Sequence, residues 1–151
     1  MGIMNKNTGV SIIIVTRNRC GYLLELLNRI DRQTVKPSEL IIVDNASSDN
    51  TKEVAINYKA TFKIQYVYEA IKGISFARNA GIRAASQEII VFIDDDCIPV
   101  DDKWLENLVK NFDLDPGIGI IGGMTIPMPK NKKSSLEIFY DSLITNKFKA
   151  Q

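Results

Sequence analysis

Ile89-Ile90-Val91-Phe92-Ile93-Asp94-Asp95-Asp96 is the stretch that decides how this chain reads. A run of β-branched and aromatic residues predicts a buried strand. It ends abruptly in three carboxylates. Adjacent anions repel, so folding alone gives no reason to place them there. A divalent cation does, because it supplies the opposite charge and takes oxygen ligands. In extended chain, Asp94 and Asp96 share one face and Asp95 takes the other. Two carboxylates on one face form half of a hard-metal site, which substrate phosphates can complete.

Working outward, the pattern of strand and helix repeats. Val10–Val15 predicts a first strand, followed by the polar turn Thr16-Arg17-Asn18-Arg19. Leu23, Leu26, Leu27 and Ile30 recur at helical spacing and predict a helix over 21–32. Leu40–Val43 predicts a second strand that ends at Asp44. Ser48 or Asp49 is the expected N-cap of a helix running to about Lys59. A third strand is expected over 62–68, an Ala-rich helix over 76–86 and the fourth strand over 89–93. Trp104, Leu105, Leu108 and Val109 mark the buried face of a helix over 103–112, and 118–121 reads as a fifth strand. This alternation indicates an α/β domain with a mostly parallel sheet. Three strands end in polar clusters, and ligands of open parallel sheets sit at the carboxyl ends of strands. The three clusters therefore describe one site.

Composition narrows the function. The chain has 151 residues, enough for one domain, with 19 basic and 18 acidic residues for a net charge of +1. That balance argues against a nucleic-acid binder. Histidine is absent, which excludes His triads, His zinc sites and His acid–base catalysis. Cys20 and Cys97 read as reduced thiols in a cytosolic setting. Residues 1–9 read as a disordered N-terminus without a signal peptide, and 10–124 as the domain. Residues 125–151 read as a basic linker with Lys130, Lys132 and Lys133, then an amphipathic helix carrying Leu136, Phe139, Tyr140 and Leu143. The lysines read as a solvated linker, or as a peripheral contact with anionic lipid at the inner face of the membrane.

Four stretches carry a resemblance. They are Val10–Arg19, Glu39–Thr51, Gly73-Ile74-Ser75-Phe76-Ala77-Arg78-Asn79-Ala80-Gly81, and Phe92–Asp96 as a DxD element. In this order, the sequence resembles the N-terminal, nucleotide-sugar-binding portion of an inverting family-2 glycosyltransferase. The resemblance implies a GT-A fold, a Rossmann-like α/β/α sandwich. It implies donor-nucleotide contacts from Thr16, Arg17, Asn18, Asp44, Arg78, Asp94 and Asp95. It also implies ligation of Mg²⁺ or Mn²⁺ by Asp96 with Asp94. The implied partners are a nucleoside-diphosphate sugar, a UDP-sugar first, and a saccharide, lipid-linked or protein acceptor.

Other readings stand beside these. Asp44 also suits a turn, Asp49 a helix cap, and Arg78 a surface ion pair. Two departures from the family are visible. Arg17 stands where an aromatic is usual, which weakens the case for uridine. No counterpart of the catalytic carboxylate base is found, since Glu137 and Asp141 match no family motif. A non-catalytic nucleotide-sugar-binding fragment is the alternative reading.

Overall fold

The computed structural model describes residues 9–115, 117–126 and 143–144. Strands β1 (Val10–Thr16), β2 (Glu39–Asp44), β3 (Lys63–Tyr68) and β4 (Ile89–Phe92) form one parallel sheet in the order β3-β2-β1-β4. Helices α1 (Cys20–Asp31), α2 (Thr51–Asn57), α3 (Ile74–Ala84) and α4 (Trp104–Lys110) lie between and after the strands. A 3-10 turn over Asn111–Leu114 extends α4. Among the described residues no helix is long and apolar enough to cross a membrane.

Side-chain alternation along the strands splits the core in two. Ile12, Ile14, Leu40, Ile42 and Val91 face α1, α2 and α4, where Leu23, Leu26, Leu27, Ile30, Ala55, Trp104 and Leu105 meet them. Full burial of each large aliphatic there is worth about 1.5–3 kcal/mol. Ile13, Ile41 and Val43 face Ala77 and Ala80 of α3 on the opposite side. α3 sits close because Gly81 has no Cβ. A methyl there would stand 2.5 Å from Cγ2 of Ile13.

Two expectations are corrected. Residues 118–121 form no strand; the extended pair is instead β5 (Gly122–Gly123), antiparallel to β6 (Leu143–Ile144). Leu143 therefore belongs to a strand, not to the expected amphipathic helix. Apolar content alone does not fix the periodicity of a short segment, and strand pairing across some twenty residues decides it here. β4 is also less buried than its composition suggests. Ile90 and Phe92 lie on the side of Ile13, where α3 covers β1 and β2, and they remain 38% and 43% exposed. The rest of the expected helix over 134–149, the lysine run and residues 1–8 lie outside the described residues.

Polar groups inside the fold are bonded in pairs and knots. Gln33 donates to the carbonyl of Asp101 (2.8 Å) and accepts from the N–H of Leu105 (3.0 Å), so the turn after α1 caps α4. Asp49 accepts from the first N–H of both α1, at Cys20, and α2, at Thr51, each at 3.1 Å. The N-cap of α2 is Asn50, not the expected Ser48 or Asp49, and the Asp49 side chain bonds the helix's first N–H from one residue earlier. Asn45 donates to the carbonyls of Glu69 (3.2 Å) and Ile71 (2.7 Å) and accepts from the N–H of Gly73 (2.8 Å). That side chain fixes the loop from which α3 starts.

At the opposite end of the sheet Glu39 is buried, 2% exposed. Burial pushes its carboxyl up, but the N–H and hydroxyl of Ser86, the hydroxyl of Ser11 and the ammonium of Lys63 outweigh it and hold the carboxyl at about 2.

Two outcomes follow from these knots. The folded carboxyl of Glu39 titrates below its unfolded value, so its stabilisation is complete above about pH 4.5 and is lost as pH falls toward 2. Urea melts at pH 7, 4 and 2.5 should show a steeper acid loss in the parent than in Glu39→Gln, a difference on the order of 3 kcal/mol. Asn45→Ala leaves two carbonyls and one N–H of the 69–73 loop without their partner. It should lower the unfolding free energy by about 1–3 kcal/mol in the same assay.

Candidate functional site

The site begins with strand register. β1 and β4 pair from Val10–Ile89 to Ile13–Phe92. The same offset, carried three residues past the end of β4, sets Asp95 level with Thr16. Thr16 is level with Asp44 of β2, and Asp44 with Tyr68 of β3. One transverse row at the carboxyl edge thus carries Tyr68, Asp44, Thr16 and Asp95.

The chain turns at Asp94–Cys97, closed by the N–H of Cys97 donating to the carbonyl of Asp94 at 3.0 Å. The strand alternation survives into this turn. Asp95 points inward and is 5% exposed, while Asp94 and Asp96 point outward. Asp95 accepts from the hydroxyl of Thr16 at 2.7 Å and from Nη1 of Arg19 at 2.9 Å. The same Nη1 lies 2.9 Å from Oδ2 of Asp96. Hydrogen bonding and charge from Asp95, then from Asp96, raise the Arg19 guanidinium still further above its ordinary range. Arg78, one turn into α3, lies 3.3 Å from Oδ1 of Asp94.

These groups line a groove of about 460 Å³, together with Arg17 and Gly73. Gly73 has φ of 150°, a backbone that side chains rarely adopt, and it begins the approach to α3. Ligand atoms of Asp94, Asp96 and Cys97 lie within 4.8 Å of one another. The donor set suits a hard divalent ion: two exposed carboxylates on one face, beside open space for further oxygens. The thiol adds a softer donor that Mn²⁺ tolerates better than Mg²⁺ does. A second cavity of about 520 Å³ adjoins the first through Arg78 and Asp94 and is walled mainly by apolar residues, from β4, α4 and the segments 93–99 and 119–121.

The residues named from sequence fall into two groups. Thr16, Arg17, Arg78, Asp94, Asp95 and Asp96 come together in the groove. Asn18 and Asp44 do not line it. Asn18, with φ of 54°, accepts from the N–H of Ser48 at 2.7 Å and donates its own N–H to Ser47 at 2.9 Å. Asp44 is 2% exposed; it accepts from the N–H of Ser47 at 2.9 Å and from the hydroxyl of Tyr66 at 2.8 Å. Burial and this carboxylate push the Tyr66 phenol well above its usual range, so it stays protonated. Asp44 borders a separate concavity of about 490 Å³ with Ser47, Tyr66 and Tyr68.

Sequence reasoning did not assign roles to Arg19, Cys97 or Tyr66. Arg19 had a visible signal, a fixed cation three residues past a strand end in a chain with a carboxylate triplet. Tyr66 had none, because its link to Asp44 depends on the pairing of β2 with β3.

The sequence profile of Glycosyl transferase family 2 matches residues 11–150. Glycosyltransferase AglE of Haloferax volcanii is 35% identical over 118 residues, covering 76% of this chain and 38% of its own length. Poly-beta-1,6-N-acetyl-D-glucosamine synthase of Staphylococcus epidermidis is 29% identical over 129 residues, covering 85% of this chain and 31% of its own. The chain thus spans between 31% and 38% of the length of these curated relatives.

Among solved structures, a mannosyltransferase of Pyrobaculum calidifontis in complex with GDP-Man and Mn²⁺ superposes with a TM-score of 0.67 at 31% identity. It covers 73% of this chain and 33% of that one. Glucosyl-3-phosphoglycerate synthase of Mycobacterium tuberculosis gives a TM-score of 0.61 at 23% identity over 74% of this chain and 42% of that one, a likeness of fold. The strand order, the carboxylate turn at the end of β4 and the profile match over residues 11–150 agree, and the chain belongs to glycosyl transferase family 2, with the GT-A fold.

Proposed function

We propose that this chain is the donor-binding portion of an inverting glycosyltransferase. It would hold a nucleoside-diphosphate sugar by its diphosphate, and Asp94 and Asp96 are the residues that would hold a divalent ion, Mg²⁺ or Mn²⁺. The observation that carries this reading is the pair of outward carboxylates on one turn, facing a groove that Arg19 and Arg78 also line. The Pyrobaculum mannosyltransferase, 31% identical, was solved with GDP-Man and Mn²⁺, which supports the same ligand class here.

This chain's own residues orient and bind. Arg78 is the group placed to turn from Asp94 to a phosphate oxygen, since a guanidinium offers paired donors in a plane. Thr16 and Arg19 keep Asp95 turned inward, and the turn then presents its two neighbours. A divalent ion bound at Asp94 and Asp96 would neutralise charge growing on the departing diphosphate. The acceptor, a saccharide, lipid-linked or protein hydroxyl, loses its proton to a base as attack proceeds.

One observation favours a narrower reading of the 151-residue chain. Among the described residues, each carboxylate that lines the groove is already paired with an arginine. None stands ready to take a proton. The described groove residues therefore serve donor binding, and the base for transfer is a group other than Asp94, Asp95 and Asp96.

Calorimetry with UDP, GDP and their sugars, with and without Mn²⁺, tests the proposal. Mn²⁺ should strengthen nucleotide binding. Asp96→Ala should erase that gain, at least the 10–100-fold typical of losing even an outer-shell partner of a metal site. Equal binding by parent and variant in Mn²⁺ would reject the metal assignment. A radiolabelled donor bound without transfer or hydrolysis supports the narrower reading, and turnover by the isolated chain would refute it.

A further inference from the structure

We propose that Arg19 is the resident counter-ion of Asp96, and that a divalent cation must displace it to bind. The inference rests on the reading that Asp96 is a metal ligand. One nitrogen, Nη1, bridges Asp95 and Asp96 at 2.9 Å each. The two halves of that bridge differ. Asp95 is inward, 6% exposed in its side chain, and has a second donor in Thr16 at 2.7 Å. Asp96 is half exposed, and among the described residues Arg19 is its one side-chain donor. The bridge to Asp95 is therefore fixed, and the bridge to Asp96 is the exchangeable one.

Charge explains why the arrangement exists. Three carboxylates on consecutive residues carry three negative charges, and Arg19 and Arg78 return two positive ones. Without the arginines the turn would be self-repelling in the metal-free protein. With them, it is nearly neutral and keeps its shape. A cation that takes Asp96 must break the Arg19 contact and also sit beside a positive group. Both effects weaken binding of the bare ion. When exchange occurs, Arg19 keeps Asp95 and stays in the groove, with donors turned loose for an incoming phosphate oxygen.

The test measures Mn²⁺ alone binding to the full 151-residue chain, read by electron paramagnetic resonance of the free ion. Arg19→Gln should bind Mn²⁺ about fivefold more tightly than the parent, the upper range for losing one exposed ion pair. Asp96→Asn should bind it more weakly. If Asp96→Asn weakens binding and Arg19→Gln leaves it unchanged or weaker, the exchange is wrong and the metal site stands. If Asp96→Asn changes nothing, the metal site itself is wrong and the exchange falls with it.

A second measurement needs no variant. Titration of the parent with diamagnetic Mg²⁺ should shift the Arg19 Nε–Hε NMR signal together with the Asp96 carboxyl carbon. An Asp96 carbon that moves while the Arg19 signal stays fixed would overturn the proposal even if Arg19→Gln failed to fold.

Discussion

Like charges on neighbouring residues can be held in one shape only if something neutralises them, and that constraint organises this molecule. The carboxylate triplet lies on a turn closed by a single backbone hydrogen bond. By itself that turn would open to separate the charges. It is held from outside, by the hydroxyl of Thr16 and the guanidinium of Arg19 on the inner carboxylate, and by Arg19 and Arg78 on the outer two. Those partners come from the end of β1, the turn after it and the first turns of α3. The site therefore exists only when the parallel pairing of β1 with β4 and the seating of α3 are both in place.

Parallel pairing explains why the polar groups meet at one edge. All four strands of the main sheet run the same way, so their carboxyl ends share a side. The row Tyr68, Asp44, Thr16, Asp95 follows from register alone. Buried members of such a row must find protein partners, because water does not reach them. Asp44 does so with Ser47 and Tyr66, and Asp95 with Thr16 and Arg19. The opposite edge obeys the same rule with different chemistry. There Glu39 is held by Ser11, Ser86 and Lys63, and it does not line the groove. The two ends differ in what is left over: at the carboxyl edge, two carboxylates remain outside the buried row and face open space.

Much of this was legible in the sequence because it is local. Apolar runs gave the strands, three- and four-residue spacing gave α1 and α4, and the triplet gave the place of the site. Alternation along a strand was enough to separate Asp95 from Asp94 and Asp96. What was not legible depends on pairing at a distance. The half-exposed state of Ile90 and Phe92 follows from where α3 lies, not from the composition of β4. The strand over 143–144 and the absence of one over 118–121 follow from which segments find partners. Asn18 and Asp44 carry family-like polar groups, and their side chains also bond Ser48, Ser47 and Tyr66 outside the groove. No spacing rule in the sequence shows a side chain already engaged.

The chemistry of the groove also limits what it can distinguish. Three arginines, three carboxylates and a hydroxyl suit phosphate and a metal ion, and the diphosphate is the part that every nucleoside-diphosphate sugar has in common. Discrimination between sugars requires groups that match a particular hydroxyl and are left unpaired by the wrong one. Among the described groove residues, the polar side chains are instead largely turned toward one another. The apolar cavity that touches the groove at Arg78 and Asp94 is the side from which further contacts would reach a donor bound as proposed. Anything packed against β4 and α4 would shape that wall, and on the donor-binding proposal the choice of sugar with it, without altering the charges on Asp94, Asp96, Arg19 and Arg78.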